Sequence, residues 1–157
     1  MIKKIITCTL LMCALPALAA DFLKNYDGDT LTVKEGQNIV KLRLHEVDAP
    51  ELKQSFGREA KQATKALCAG ANVEWHVVGK SWDRIVAKVQ CNGVDVGEHL
   101  ISNGLAFVDE RYASYSSPYF KLQDAARNKG LGVWSGEYYK PKECRKDKNM
   151  CGAKNEN

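Results

Sequence analysis

Asp27-Gly28-Asp29-Thr30, then Arg43-Leu44, then Val47-Asp48-Ala49-Pro50-Glu51 bring carboxylates, one guanidinium and a turn-forming glycine close together along the chain. Oxygen ligands suit a hard cation such as calcium, a fixed guanidinium suits a phosphate, and a further carboxylate nearby can take a proton from water. The chemistry that fits this inventory is cation-assisted cleavage of a phosphodiester. An EF-hand is excluded, because the twelfth position counted from Asp27 is Asn38 and from Asp29 is Val40. Each piece alone has a plainer reading: Asp-Gly-Asp as a turn, Arg43 as a solvated strand residue. Only their combination points to a site.

The elements that must position these residues follow from pattern and punctuation. Thr30-Leu31-Thr32-Val33 alternates, Lys34-Glu35-Gly36-Gln37 reads as a turn, and Ile39-Val40-Lys41-Leu42-Arg43-Leu44 alternates again, which is a hairpin. Val40, Leu42 and Leu44 share one face, so Arg43 points away from it. Ser55 is placed to cap a helix from Phe56 to about Leu67, with Phe56, Ala60, Ala63 and Leu67 at helical spacing and Gly70 as its stop. Val73 to Val78 and Ile85 to Val89 read as further strands, followed by a Cys91-Asn92-Gly93 turn. Asp95 and Glu98 form a capping box for a second helix closed by Gly104. Ser117-Pro118 starts a third, with Leu122, Ala125 and Ala126 on its apolar side and Gly130 as its end. The pattern dissolves after Trp134. The expected fold is α+β: a five-stranded OB-type antiparallel β-barrel with about three packed α-helices.

The amino terminus is set aside from this fold. Met1-Ile2-Lys3-Lys4 is basic, Ile5 to Leu15 is apolar, and Ala17-Leu18-Ala19 offers a small-x-small cleavage pattern, so residues 1–19 read as a signal peptide. The apolar run is shorter than the roughly 20 residues of a membrane span. Export would leave four of the six cysteines: Cys68, Cys91, Cys144 and Cys151. An even number in an oxidising compartment favours two disulfides over metal ligation. Three pairings are open, of which Cys68 with Cys91 and Cys144 with Cys151 is favoured, because the latter two bracket a short polar tail. No pair has Cys-x-x-Cys spacing, and His45, His76 and His99 form no ligand-like set, which argues against zinc. Removal of Lys3 and Lys4 lowers the formal charge from +4 to +2, since every acidic residue lies at or after Asp21. That balance is compatible with a nucleic-acid partner without arguing for one.

The order Asp-Gly-Asp-Thr, Arg-Leu, Val-Asp-Ala-Pro-Glu, Phe-Gly-Arg-Glu-Ala (Phe56 to Ala60), an aromatic two before an Arg (Trp82, Arg84), Gly-Leu-Ala (Gly104 to Ala106) and Gly-x-Trp (Gly132, Trp134) resembles staphylococcal nuclease and its thermonuclease relatives. The resemblance covers nearly all of residues 20–136, leaving 137–157 as a basic, Cys-containing tail. It implies that Asp29 and Asp48, with the backbone carbonyl of Ala49, bind calcium. Ala where the family commonly has Thr is tolerable for a carbonyl ligand. It implies that Glu51 activates or orients the attacking water and that Arg43 and Arg84 grip the scissile phosphate. Trp82 and Tyr112 fall where relatives present tyrosines to the nucleotide; both also have the plainer reading of partly packed aromatics.

The signal-peptide reading implies export, periplasmic or extracellular, of a chain expected to be a monomer, and the resemblance implies a calcium-dependent, sugar-nonspecific nuclease that cleaves DNA and RNA to leave 3′-phosphate ends. Single strands should be favoured, because bases must reach aromatic faces. The alternative is a catalytically inactive OB-fold nucleic-acid-binding module of the cell envelope. Two departures from the family pattern carry expectations. Lys80 and Asp83 replace residues common near the Arg of the aromatic-Arg turn, so Asp83 is expected to pair with Arg84 and hold it off a phosphate. The loop from Leu52 to Ser55 is short, which should reduce any flap over a substrate.

Overall fold

The computed structural model describes residues 20–151; the expected signal peptide and the end of the tail lie outside them. Alternating apolar residues drive five long strands together: β1 (Ala20–Asn25), β2 (Thr30–Glu35), β3 (Asn38–Leu44), β5 (Asn72–Ser81) and β6 (Arg84–Cys91). Short strands β4 (Val47–Asp48), β7 (Val94–Asp95) and β8 (Phe107–Val108) complete the set. The long strands follow the order β3-β2-β1-β5-β6, and β3 then pairs with β6, closing the expected barrel. Four of the five pairings are antiparallel. The closing one is parallel, with Leu42, Arg43 and Leu44 opposite Ile85, Val86 and Ala87. Closure leaves the long strands without a free edge.

Leu31, Val33, Leu42, Val73, Ala87 and Val89 fill the interior, each essentially inaccessible to solvent. Helices α1 (Gly57–Cys68), α2 (Val96–Ser102) and α3 (Tyr119–Asn128) add Ala60, Leu100 and Ile101 to the same core and Tyr119 at its margin. The Cys68–Cys91 disulfide joins the end of α1 to the end of β6, and Cys144–Cys151 is the second bridge, as favoured from the sequence. Among the described residues no helix is long and apolar enough to cross a membrane.

Several local expectations need correction. Ser55 does not cap α1: Phe56 holds the N-cap position in the left-handed region (φ 63°), with no side-chain cap bond. The chain turns sharply there because Gly57 lies against the Glu51 carbonyl, where a Cβ would stand only 2.0 Å from that oxygen. Asp95 caps α2 by accepting a hydrogen bond from the Glu98 N–H. In α3, Ala125 is exposed, and Gln123 is the buried neighbour of Ala126. Gln123 Oε1 accepts from the Val108 N–H at 2.8 Å, satisfying a donor of the short β4–β8 pair.

The largest difference lies beyond Trp134. Rather than dissolving into a tail, the chain forms a 3-10 turn at Gly132–Ser135, helix α4 (Pro141–Lys146) and a second 3-10 turn at Lys148–Cys151. Pro141 stands at the start of α4, and the Glu143 carboxylate accepts from the Lys140 N–H. Phe107, Trp134 and Tyr138 meet with ring centroids 4.9–5.4 Å apart, fastening the segment to the barrel. Elements this short carry no readable periodicity.

Candidate active site

The β1–β2 turn is built by Asp27, whose Oδ1 accepts from the N–H groups of Asp29 (3.1 Å) and Thr30 (2.7 Å). Gly28 lets this turn lie against α1 and the chain after β4, since a Cβ there would meet the Cβ atoms of Ala49 at 2.7 Å and Ala60 at 2.8 Å. The turn delivers Asp29 into the protein. Its Oδ2 accepts from the Ala49 N–H (2.6 Å) and forms an ion pair with Arg43 Nη1 (2.8 Å). Burial pushes the Asp29 carboxyl from 3.8 up to about 7; Arg43 opposes that rise, and the charges of Asp27 and Asp48 add to it.

Arg43 lies opposite Thr30 in the β2–β3 register, so its side chain emerges beside Asp29. Nη1 also donates to the Val47 carbonyl at 2.7 Å, and Nη2 to Asp48 Oδ1 at 3.3 Å. One guanidinium thus spans both carboxylates expected to bind a cation. Glu51 follows on the short loop, its N–H donating to Gln54 Oε1 at 2.8 Å, and its carboxylate is half-buried.

These groups open onto one groove of about 710 Å³. Asp29, Arg43, Ala49, Glu51, Trp82, Arg84 and Tyr112 all line it, so the structure gathers residues separated by up to a barrel's length of chain. Asp48 does not line this groove: it lines a smaller cavity with Glu110 and Lys140 and is bound to Arg43 and Arg145. A smaller cavity of about 210 Å³ beside Pro50 and Tyr138 has no lysine, arginine or histidine in its lining and offers nothing to a phosphate.

The expected Asp83–Arg84 pairing is not found. Asp83 instead accepts from Lys41 Nζ at 3.1 Å, across the barrel seam, and Lys41 also lies 4.9 Å from the Tyr26 ring centroid. Arg84 makes no ion pair among the described residues and faces the groove. The two-residue turn between β5 and β6 explains this, because Trp82 takes a left-handed conformation (φ 57°) that projects it 89% exposed at the tip. Tyr112, which also lines the groove, is 66% exposed.

Four residues escaped the sequence reading. Buried Glu46 accepts from Ser117 Oγ at 2.7 Å, and its carbonyl accepts from the Asp109 N–H at 2.9 Å, pinning the loop that carries Tyr112. Asp109 in turn grips the Arg111 guanidinium with two hydrogen bonds, of 2.8 and 2.7 Å, placing a further guanidinium in the groove. Asp109 is buried, but its bonds to Arg111 hold its carboxyl below the ordinary range. Arg145, from α4, donates to Glu51 Oε1 at 2.7 Å and to both oxygens of Asp48 at 3.1 and 3.0 Å. Nothing near Arg145 in sequence announces this.

The donor set suits a hard cation: Asp29, whose charge the fold disfavours, Asp48, and the carbonyl of Ala49 all offer oxygen atoms. Among the described residues no three His, Cys, Asp or Glu side chains converge as a ready-made metal cluster. Two carboxylates and a carbonyl would therefore leave several positions to water and to phosphate oxygens. Arginines facing a groove beside such a pair, with aromatic rings on its rims, can bind and polarise a phosphodiester.

Comparison with known proteins agrees with that chemistry. Residues 41–136 match the family model described as staphylococcal nuclease homologue. A Haemophilus influenzae protein named uncharacterized endonuclease is 34% identical over 115 residues, covering 72% of this chain and 64% of that protein. An Escherichia coli protein of the same name is 33% identical over 140 residues, 85% of this chain and 90% of that one. A rice protein (Oryza sativa subsp. japonica) named probable staphylococcal-like nuclease CAN4 is 34% identical over 111 residues, which are 69% of this chain but 22% of its own length. The matched span includes Arg43, Ala49, Glu51 and Arg84, which the barrel turns toward one groove, and on that evidence the chain belongs to the staphylococcal nuclease family.

Proposed function

We propose that this protein is an exported, calcium-dependent nuclease that hydrolyses phosphodiester bonds in DNA and RNA, favouring single strands and leaving 3′-phosphate ends. The observation that carries the reading is the convergence of Arg43, Arg84 and Glu51 with buried Asp29 on one open groove. Two disulfides support an oxidising compartment, in keeping with the basic and apolar amino terminus.

In this reading Asp29, Asp48 and the Ala49 carbonyl hold calcium, which supplies charge stabilisation at the phosphate and acidifies water when bound. Glu51 takes a proton from the attacking water. The oxygen so freed adds to phosphorus, the bond from phosphorus to the 5′ oxygen breaks, and that oxygen takes a proton from solvent. Arg43 and Arg84 face the phosphate oxygens on which negative charge grows, lowering its cost where it arises. Arg43 needs little reorganisation, because Val47 and Asp29 already fix its guanidinium. Trp82 and Tyr112 offer flat faces to any base, which suits a single strand without sequence preference.

The test is digestion of single-stranded DNA by the oxidised protein with calcium and with excess chelator, for the native chain and Glu51→Gln. Cleavage in calcium alone, reduced on the order of 10²–10⁴ in the variant, is the expected result. Binding without cleavage in calcium, manganese or magnesium would overturn the enzymatic reading in favour of a nucleic-acid-binding module.

A further inference from the structure

The hydrogen bonds of the Arg145 guanidinium, like those of Arg111, all go to carboxylates, but they span two of them: Glu51 at 2.7 Å and Asp48 at 3.1 and 3.0 Å. Arg43 differs, since a backbone carbonyl also holds it. The Arg145 side chain is 41% exposed while Asp48 is 7% exposed, so Arg145 covers Asp48 from the groove side. Its backbone is anchored independently. Pro141 and Cys144 are buried, Cys144 is bridged to Cys151, Lys140 pairs with Glu110 at 2.8 Å, and Gln54 ties the Tyr139 carbonyl to the Glu51 loop.

We propose that Arg145 is the resident counter-cation of Asp48 and Glu51, exchanged by the divalent cation and then available, at the groove's rim, as a further phosphate-binding residue. The inference rests on the reading of Asp48 as a cation ligand and of Glu51 as the residue that activates water. A guanidinium and a divalent ion compete for the same Asp48 oxygens, so the protein alone binds the ion less tightly than the bare carboxylates would. Once exchanged, Arg145 cannot leave, because α4 is held by its own anchors. Its planar donors then face the groove, where a phosphate is their natural partner. Cation and phosphate binding thereby become coupled: the ion frees the arginine that helps hold the substrate.

The test compares the native protein with Arg145→Ala and Arg145→Lys, each checked for native far-UV circular dichroism. Calorimetric titration with calcium alone should give about tenfold tighter binding for Arg145→Ala, with Arg145→Lys between it and the native protein. Steady-state cleavage of single-stranded DNA at saturating calcium should show KM raised about tenfold in Arg145→Ala. The two shifts have opposite signs, which a merely structural role would not produce. Equal or weaker calcium binding by Arg145→Ala, or an unchanged KM, overturns the proposal while leaving the nuclease reading intact. A native protein that neither binds calcium nor cleaves in it overturns both.

Discussion

The barrel wall of the groove and the wall formed by the C-terminal segment both set an arginine against carboxylates, but they hold it differently. Arg43 rises from the parallel seam between β3 and β6, is 15% exposed, and is fixed by a carbonyl as well as by Asp29 and Asp48. Arg145 reaches in from a six-residue helix, is 41% exposed, and binds carboxylates alone. The first arrangement is pre-organised, and its donors stay in place whichever ion or phosphate arrives. The second is exchangeable. A site assembled from both can keep its geometry in the barrel and adjust its charge from the rim.

Breaking the barrel side should have the largest effect. Arg43→Ala removes a phosphate donor and leaves two buried carboxylates short of a partner, so cleavage should fall on the order of 10²–10³. Stability in chelator should fall by about 3–5 kcal/mol. Urea unfolding with and without calcium separates the two effects, because an ion between Asp29 and Asp48 should restore much of the stability and none of the rate. Equal losses of stability with and without calcium would show that Arg43 is not the partner of a cation-binding pair.

The next effect concerns Asp29. In chelator the folded carboxyl keeps its proton up to about pH 7, whereas its ordinary value is 3.8. The fold then binds more protons than the unfolded chain between those values, so this contribution is complete below pH 3.8 and is lost as pH rises through about 7. Asp29→Asn should flatten that decline, a difference on the order of a few kcal/mol at pH 8. Denaturant midpoints across that window check it, and a decline of equal slope in both proteins would refute it.

On the rim, Trp82→Ala should raise KM for single-stranded DNA by the equivalent of about 1–3 kcal/mol while leaving thermal stability unchanged, because the ring is almost fully exposed. A change in melting temperature without one in KM would assign Trp82 to packing. The smallest effect should come from Asp83→Asn. Its partner is Lys41 rather than Arg84, so cleavage should stay within about twofold of native. A large gain in rate would restore the idea that Asp83 restrains Arg84.

How much of this was legible in the chain depended on how local the cause was. The β2–β3 hairpin, the face from which Arg43 points, and the stops at Gly104 and Gly130 follow from alternation and from turn residues, which act within a few positions. Ser55 was misread because helix-capping chemistry at that position is overridden by the close approach of Gly57 to Glu51. Ala125 was misread because the β8 edge needs an acceptor, and Gln123 turns inward to provide it. For Glu46, the conspicuous feature is a left-handed backbone (φ 62°) that no neighbouring residue predicts.

The sequence by itself determined the family and nominated five charged residues for the site, since Asp29, Arg43, Asp48, Glu51 and Arg84 stand in a recognisable order along strands whose periodicity can be read. It also favoured the disulfide pairing that the fold contains. Tertiary structure alone decided that Asp83 serves Lys41, that Glu46 fixes the Tyr112 loop, and that Arg145 closes on Glu51 from 94 positions away. Local pattern reports which face of an element is apolar; a charge pair between distant elements depends on how the closed barrel and the clamped C-terminal helix bring their surfaces together, and no local propensity encodes that distance.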